Sequence, residues 1–313
     1  MKEIYLLTGA TEFVGSNIVR KLVSMKKIVH IIMRNKANID RIEDIVDTIM
    51  IHRCDLLSPE LRTIISSIKP DYIFHLAAYG VYPQQSDPFT MIDINIKGTV
   101  NLIDAVKKHP FKLFINTGSA VEYGIKDDAM LESDVLVPIN DYGVFKAAST
   151  LYASKEAIRN NLPIITFRLF TPFGIFEDKN RLIPSVILNA ISNNEIKVSS
   201  PTSVRDFIFI DDVVSAYLQA ITATISPGDI INIGSGKQHT IKDIVTAVIK
   251  ISKSTSQIGW GTVAPQSRFI EPKKWEADIT RVKEILHWKP EESLDSGLQK
   301  TISWFQKNNH RYQ

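Results

Sequence analysis

Tyr142 and Lys146 stand four residues apart in Tyr142-Gly143-Val144-Phe145-Lys146, the one Tyr-x-x-x-Lys pair in the chain. That spacing places both side chains on one face of a helix, a turn apart. A tyrosine that gives or takes a proton near neutral pH needs its pKa, about 10 unperturbed, brought down, and an adjacent ammonium does this by favouring the phenolate. Upstream, the apolar run Leu113–Thr117 leads into Gly118-Ser119-Ala120. Ser119 then falls at the carboxyl end of a strand, where doubly wound sheets bind their ligands. Its hydroxyl can hydrogen-bond a carbonyl or an alcohol, although a serine there equally suits a plain turn.

The second chemical feature is TGATEFVG, residues 8–15, between an apolar run and a helical pattern at Ser16–Val23. A glycine loop in that context is the usual cradle of a dinucleotide pyrophosphate. Gly9 permits the tight turn and Gly15 close helix packing, while Thr11, Phe13 and Val14 complete a loop whose helix N-terminus offers N–H groups to phosphate. Glu12 occupies the place of a middle glycine. A carboxylate beside a diphosphate repels it unless the side chain turns to solvent or pairs with a cation, so weakened binding is expected. The next apolar run ends Ile31-Ile32-Met33-Arg34. NAD-preferring folds carry an acidic residue there, whereas an arginine suits the 2′-phosphate of NADP. NADP(H) is therefore favoured, with NAD still open and a solvated surface cation as the alternative role for Arg34.

The elements that must carry these residues follow from periodicity. Ile4–Leu7, Ile28–Met33, Ile49–Ile51, Tyr72–Leu76, Leu113–Thr117, Ile164–Leu169 and Ile230–Ile233 are strand candidates alternating with helical patterns, which predicts an α/β, doubly wound Rossmann fold around a parallel sheet. Phe89, Ile92, Ile96, Val100, Ile103 and Val106 recur at helical spacing and predict a helix with one apolar face. From about Thr171 prolines become frequent. The expected division is a dinucleotide-binding domain over 1–170, completed by about 204–234, and a smaller substrate-binding lobe made mainly of 171–313.

Composition narrows the partners. With 37 Lys+Arg against 34 Asp+Glu, net +3, and no like-charge run or basic stripe, no nucleic-acid partner is expected. No apolar stretch approaches the roughly 20 residues of a membrane span and no signal-peptide pattern opens the chain, so the expectation is a soluble cytoplasmic protein with no membrane partner. The single cysteine, Cys54, excludes an intramolecular disulfide and a thiolate metal cage, and no metal site is expected. A structural, partly buried thiol is the plain role for it.

Taken together, TGATEFVG, Asp55-Leu56-Leu57, His75-Leu76-Ala77-Ala78, Asn95-Ile96-Lys97-Gly98-Thr99, NTGSAVEYG at 116–124, YGVFK at 142–146, RLFTPFG at 168–174 and VRDFIFIDDVV at 204–214 make the sequence resemble the extended short-chain dehydrogenase/reductases. These are the sugar-nucleotide epimerases, dehydratases and reductases, and the likeness covers nearly the whole chain. The resemblance implies Ser119, Tyr142 and Lys146 as the catalytic set, with Tyr142 the acid/base and Lys146 also bonding the nicotinamide ribose. It implies Asp55 and Leu56 near the adenine, Leu76, Ala77 and Ala78 along the cofactor, Asn95 on a helix supporting the site and Pro172 by the nicotinamide. For the nucleotide-sugar substrate it implies Ser119, Ala120, Thr171, Arg181, Arg205 and Arg268, guanidinium forks being suited to phosphate oxygens. A homodimer is likewise implied.

Dehydratases of this group carry an Asp-Glu pair where this chain has Ala120 and Val121. Water loss is therefore not expected unless Glu122, one residue along, substitutes. An epimerase that keeps NAD and a reductase that consumes NADPH remain. Arg34 and Glu12 fit an exchanging NADPH, so the expected reaction is reduction of a 4-keto-6-deoxyhexose nucleotide, with a nucleotide-sugar 4-epimerase, or a non-catalytic dinucleotide-binding regulator, as the alternatives.

Overall fold

The computed structural model describes residues 3–262 and 272–312; Arg268 lies outside them. The chain begins β1 (Ile4–Thr8), α1 (Phe13–Ser24), β2 (Ile28–Met33), β3 (Met50–Arg53), α2 (Glu60–Ile68) and β4 (Tyr72–His75). It continues through α3 (Pro88–Met91), a π turn (Ile92–Lys97) and α4 (Gly98–Val106) into β5 (Leu113–Ser119), α5 (Asp141–Asn160), β6 (Ile164–Leu169) and β7 (Thr171–Phe173). Then follow α6 (Leu182–Ile191), β8 (Ile196–Val198), β9 (Val204–Phe209), α7 (Ile210–Gln219), β10 (Ile230–Ile233), β11 (Gln238–Thr240) and α8 (Ile241–Ser252). The described chain closes with β12 (Ile258–Trp260), α9 (Thr280–Leu286) and α10 (Leu294–Asn308).

All seven predicted strands form one sheet, in the order β10-β6-β5-β4-β1-β2-β3, and every pairing in it is parallel. A parallel sheet covered on both faces needs strands that are apolar throughout. β4 and β6 are accordingly buried along their full lengths, whereas β3, at the edge, is not. One face packs on α1 and α7 through Ile18, Leu22, Val213 and Tyr217, and the other on α2, α4 and α5 through Leu61, Ile65, Leu102 and Ala153. Two small sheets, β11-β9-β7 and β12-β8, stand beyond the carboxyl end of β6. Cys54 is buried, and its thiol reaches the neighbouring Asp55 carbonyl and the Ser58 side chain, as a structural cysteine does.

Two local details set up the site. β5 runs two residues beyond the predicted boundary, and Ser119 pairs with Leu169 at the common carboxyl edge of β5 and β6. α5 starts where Asn140 accepts the Gly143 N–H at 2.7 Å, an N-cap bond that satisfies an otherwise orphan donor and fixes Tyr142 in the first turn.

The helix predicted from Phe89 onward exists, but of its predicted apolar face only Ile103 and Val106 are fully buried. Met91, Asn95, Thr99 and Leu102 point inward, Ile103 and Val106 are buried at the far end, and Phe89 is 75% exposed. The π turn inserts a residue into the helical repeat and rotates the faces before and after it.

Candidate active site

A cavity of about 600 Å³ opens at the carboxyl ends of the sheet strands. The glycine loop contributes Gly9, Glu12, Phe13, Val14 and Gly15, and the end of β4 contributes Leu76 and Ala78. Ser119 and Ala120 enter from β5, and Tyr142 and Lys146 from α5. The opposite wall carries Thr171 and Pro172 of β7, Arg181 at the start of α6 and Arg205 of β9. Residues as far apart in sequence as 9 and 205 thus face one space.

The remaining predicted residues stand behind that wall or away from it. Thr11 is buried within the loop. The Ala77 N–H donates to Thr8 Oγ1 at 3.3 Å. Arg34 follows the last residue of β2 and is exposed. Asp55 accepts the Leu57 N–H at 2.9 Å in the turn after β3, and Leu56 packs against Gly98. Asn95 does not face the cavity. Both ends of its buried amide are engaged by the backbone of Tyr79, at 2.9 and 2.8 Å, so it supports the wall.

The glycine loop explains its own residue choices. Gly9 has φ +67°, and a Cβ there would lie 2.6 Å from the Ala77 nitrogen; a Cβ on Gly15 would lie 2.1 Å from the Gly9 carbonyl oxygen. Glu12, by contrast, is extended at φ −85°, a conformation any residue adopts. Its side chain is half exposed and turns to Arg41, 3.9 Å away. Arg41 in turn donates to the Phe176 carbonyl at 2.7 Å and to that of Thr11 at 3.5 Å. The carboxylate is therefore drawn off to a cation, the arrangement in which repulsion of a diphosphate is relieved. Glu12 makes no side-chain cap bond to α1, which leaves the helix N-terminus open as an anion cradle; the loop fits a dinucleotide diphosphate.

The catalytic candidates are close-set but not tuned as expected. The Lys146 ammonium is buried and donates to the Thr117 carbonyl. Burial pulls its pKa down to about 8, against the opposing pull of the Glu122 charge. Tyr142 is pushed well above the ordinary tyrosine value, first by burial and then by Glu122, while Arg181 and a hydrogen bond with Ser119 pull the other way. The expected lowering by Lys146 is thus not what acts here: burial dominates, the opposing pull comes from Arg181 and Ser119, and Tyr142 holds its proton at neutral pH.

Glu122, the one residue the sequence left open as a substitute acid, has another task. It does not line the cavity. Its carboxylate is fully buried, accepting from Arg168 Nε at 2.8 Å, Thr150 Oγ1 at 3.0 Å and the Ser119 N–H at 2.8 Å. It holds Ser119 from behind and cannot replace a dehydratase acid. The signal was present as Ser119-x-x-Glu122, the capping-box pattern, which the structure contains. Sequence reasoning also passed over Tyr82, Glu177 and Trp275, all of which line the cavity. Trp275 stacks with Arg205, whose guanidinium lies 5.4 Å from the ring centre.

Known proteins resemble this chain over nearly its whole length. The model of the NAD dependent epimerase/dehydratase family matches residues 5–234. The dTDP-glucose 4,6-dehydratase of Neisseria gonorrhoeae is 26% identical, over 100% of this chain and 98% of its own length. The UDP-glucuronate 4-epimerase of Thermodesulfobacterium geofontis is 26% identical over 97% and 96%. Among solved structures, the UDP-glucuronic acid 4-epimerase of Bacillus cereus in complex with UDP-glucuronic acid and NAD superposes with a TM-score of 0.86 at 25% identity, covering 97% of this chain and 99% of that one. The UDP-glucose 4-epimerase of Thermotoga maritima shares the fold, with a TM-score of 0.89 at 24% identity over 98% and 99%.

Proposed function

Because the chain belongs to the NAD dependent epimerase/dehydratase family, we propose that it moves a hydride at a ring carbon of a nucleotide-activated sugar without removing water. The observation that carries this is the site itself. Ser119, Tyr142 and Lys146 meet at one cavity, while Ala120 and Val121 offer no acid or base and Glu122 is spent on Arg168.

The nicotinamide cofactor supplies or takes the hydride. The protein does the rest. Tyr142, proton-loaded in its buried position, protonates the oxygen of a keto sugar as hydride arrives, and recovers that proton from solvent or from the next alcohol. Ser119, fixed by Glu122 through its backbone, holds the same oxygen by its hydroxyl. Lys146, which lines the same cavity, would hold the cofactor ribose and bring a positive charge toward the phenolate that Tyr142 becomes. Arg181 and Arg205 face the cavity at positions suited to the diphosphate of the substrate.

Of the two directions, the proposal is reduction of a 4-keto-6-deoxyhexose nucleotide with NADPH, supported by Arg34 in place of an acidic residue at the end of β2. The epimerase is the second reading, favoured by relatives and neighbours named as 4-epimerases, one of them solved with NAD. The dinucleotide retained through purification, followed by assays for NADPH consumption with a 4-keto-6-deoxyhexose nucleotide and for 4-epimerisation of UDP-sugars, distinguishes them. Tightly held NAD with epimerisation overturns the reductase.

The same reading proposes a homodimer. Val144, Leu151 and Ile158, seven residues apart on α5, are exposed together with Phe89, an apolar stripe of the kind a second copy covers. Sedimentation showing a monomer at micromolar concentration would refute it.

A further inference from the structure

Glu177 is a buried carboxyl for which the mechanism above has no use. It is 5% exposed, it lines the cavity, and its Oε2 has no hydrogen-bond partner. Such a group costs free energy unless something completes it. Its place in the fold identifies the missing partner. The Ile175 carbonyl accepts from Asn17 on α1 at 3.1 Å, and the Phe176 carbonyl shares Arg41 with the Thr11 carbonyl of the glycine loop. The segment carrying Glu177 is therefore tied at two consecutive residues to the helix and loop that form the diphosphate cradle.

We propose that the Glu177 carboxyl donates a hydrogen bond to a diphosphate oxygen of the dinucleotide bound at the N-terminus of α1. This rests on the dinucleotide reading of the loop and adds a residue, and a proton, to it. The alternative recipient is the diphosphate of the sugar nucleotide, since Arg181 also stands beside Glu177; the ties of Ile175 to Asn17 and of Phe176 to Arg41 favour the dinucleotide.

The charges around the carboxyl are mixed. Arg181 approaches Oε1 at 3.8 Å, too far for a hydrogen bond, and Arg41 adds a second positive charge; Asp178 opposes them. Glu12 faces Arg41 from the loop, Tyr82 lines the same cavity, and the Tyr312 hydroxyl donates to the Glu177 carbonyl. Burial outweighs the cations and pushes the pKa up to about 8. At pH 7 the carboxyl thus carries the proton it would donate, and above pH 8 it becomes an anion facing another anion.

The test is NADPH affinity of the full chain, by fluorescence titration at pH 7 and pH 9.5, for the wild type and Glu177→Gln. Lys146 also titrates near 8, so the comparison between proteins is what counts. Glutamine keeps the shape and a donor without an ionisable proton. It should bind within about threefold of wild type at pH 7, while the wild-type affinity should fall about tenfold more than the variant's on going to pH 9.5. Equal falls in the two proteins overturn the proposal. A difference seen with UDP titrated alone, and not with NADPH, overturns the choice of recipient. Wild type that binds neither NADPH nor NADH at either pH overturns the dinucleotide reading as well, and so is distinct from failure of Glu177 alone. If Glu177→Gln does not fold, as judged by circular dichroism, Glu177→Met serves: it should bind weakly at pH 7 and show the same reduced pH dependence, and wild-type behaviour in it overturns the proposal.

Discussion

Removing the Glu122 carboxylate should reveal how Ser119 is held. Glu122→Ala leaves the Arg168 guanidinium, 1% exposed, without its counter-ion, and deprives the Ser119 N–H and the Thr150 hydroxyl of their acceptor. Breaking a buried pair from one side typically costs about 3–5 kcal/mol, because the surviving charge stays out of water. The orphaned N–H and hydroxyl act in the same direction, so the upper half of that range is expected. With an unfolding entropy of about 2.1 cal/mol/K per residue, the corresponding fall in melting temperature for 313 residues is roughly 6–8 °C. Urea melts followed by tryptophan fluorescence and circular dichroism measure the loss. The decisive control is the double variant Glu122→Leu with Arg168→Met, which removes both charges but leaves the Ser119 N–H and Thr150 hydroxyl unpaired, and should recover at least about 1–2 kcal/mol of the single variant's loss. A single variant that loses less than about 1 kcal/mol, or a double variant as damaged as the single, would refute the buried-pair account. Turnover of the double variant should still fall, since the Ser119 backbone has lost its anchor.

Tyr142→Phe should keep the fold and cofactor affinity but lower turnover at least about 10²-fold, measured by steady-state assay; near-normal activity would remove Tyr142 from the proton-transfer role. Arg34→Asp should weaken NADPH by tenfold to about a hundredfold, the worth of a charge-assisted bond, with little change for NADH in parallel titrations; equal losses would place Arg34 away from the 2′-phosphate. Glu12→Gly should leave NADPH affinity unchanged or a few-fold weaker, because an exposed pair with Arg41 contributes only about 0–1 kcal/mol; tighter binding at low salt would show that the carboxylate still repels the diphosphate.

The sequence determined what depends on near neighbours. A strand is apolar over four to seven consecutive residues and a helix repeats within two turns, so all seven sheet strands and the glycine-loop helix were legible from local pattern. The spacing of Tyr142 and Lys146 was legible for the same reason, and the likeness to a family extended this to Ser119. Where each charge points was decided only by tertiary structure. Glu12 finds Arg41, 29 residues away, and Glu122 finds Arg168, 46 residues away; neither separation leaves a periodic trace. The pKa of Tyr142 depends on how thoroughly its surroundings exclude water, and desolvation, a sum over all the atoms packed around the ring, reversed the shift that a single neighbouring ammonium predicts. The apolar pattern from Phe89 onward marked a helix correctly and its buried end at Ile103 and Val106, but not the face before it, because a π turn rotates that face and nothing in the pattern says which surface the rest of the chain will cover.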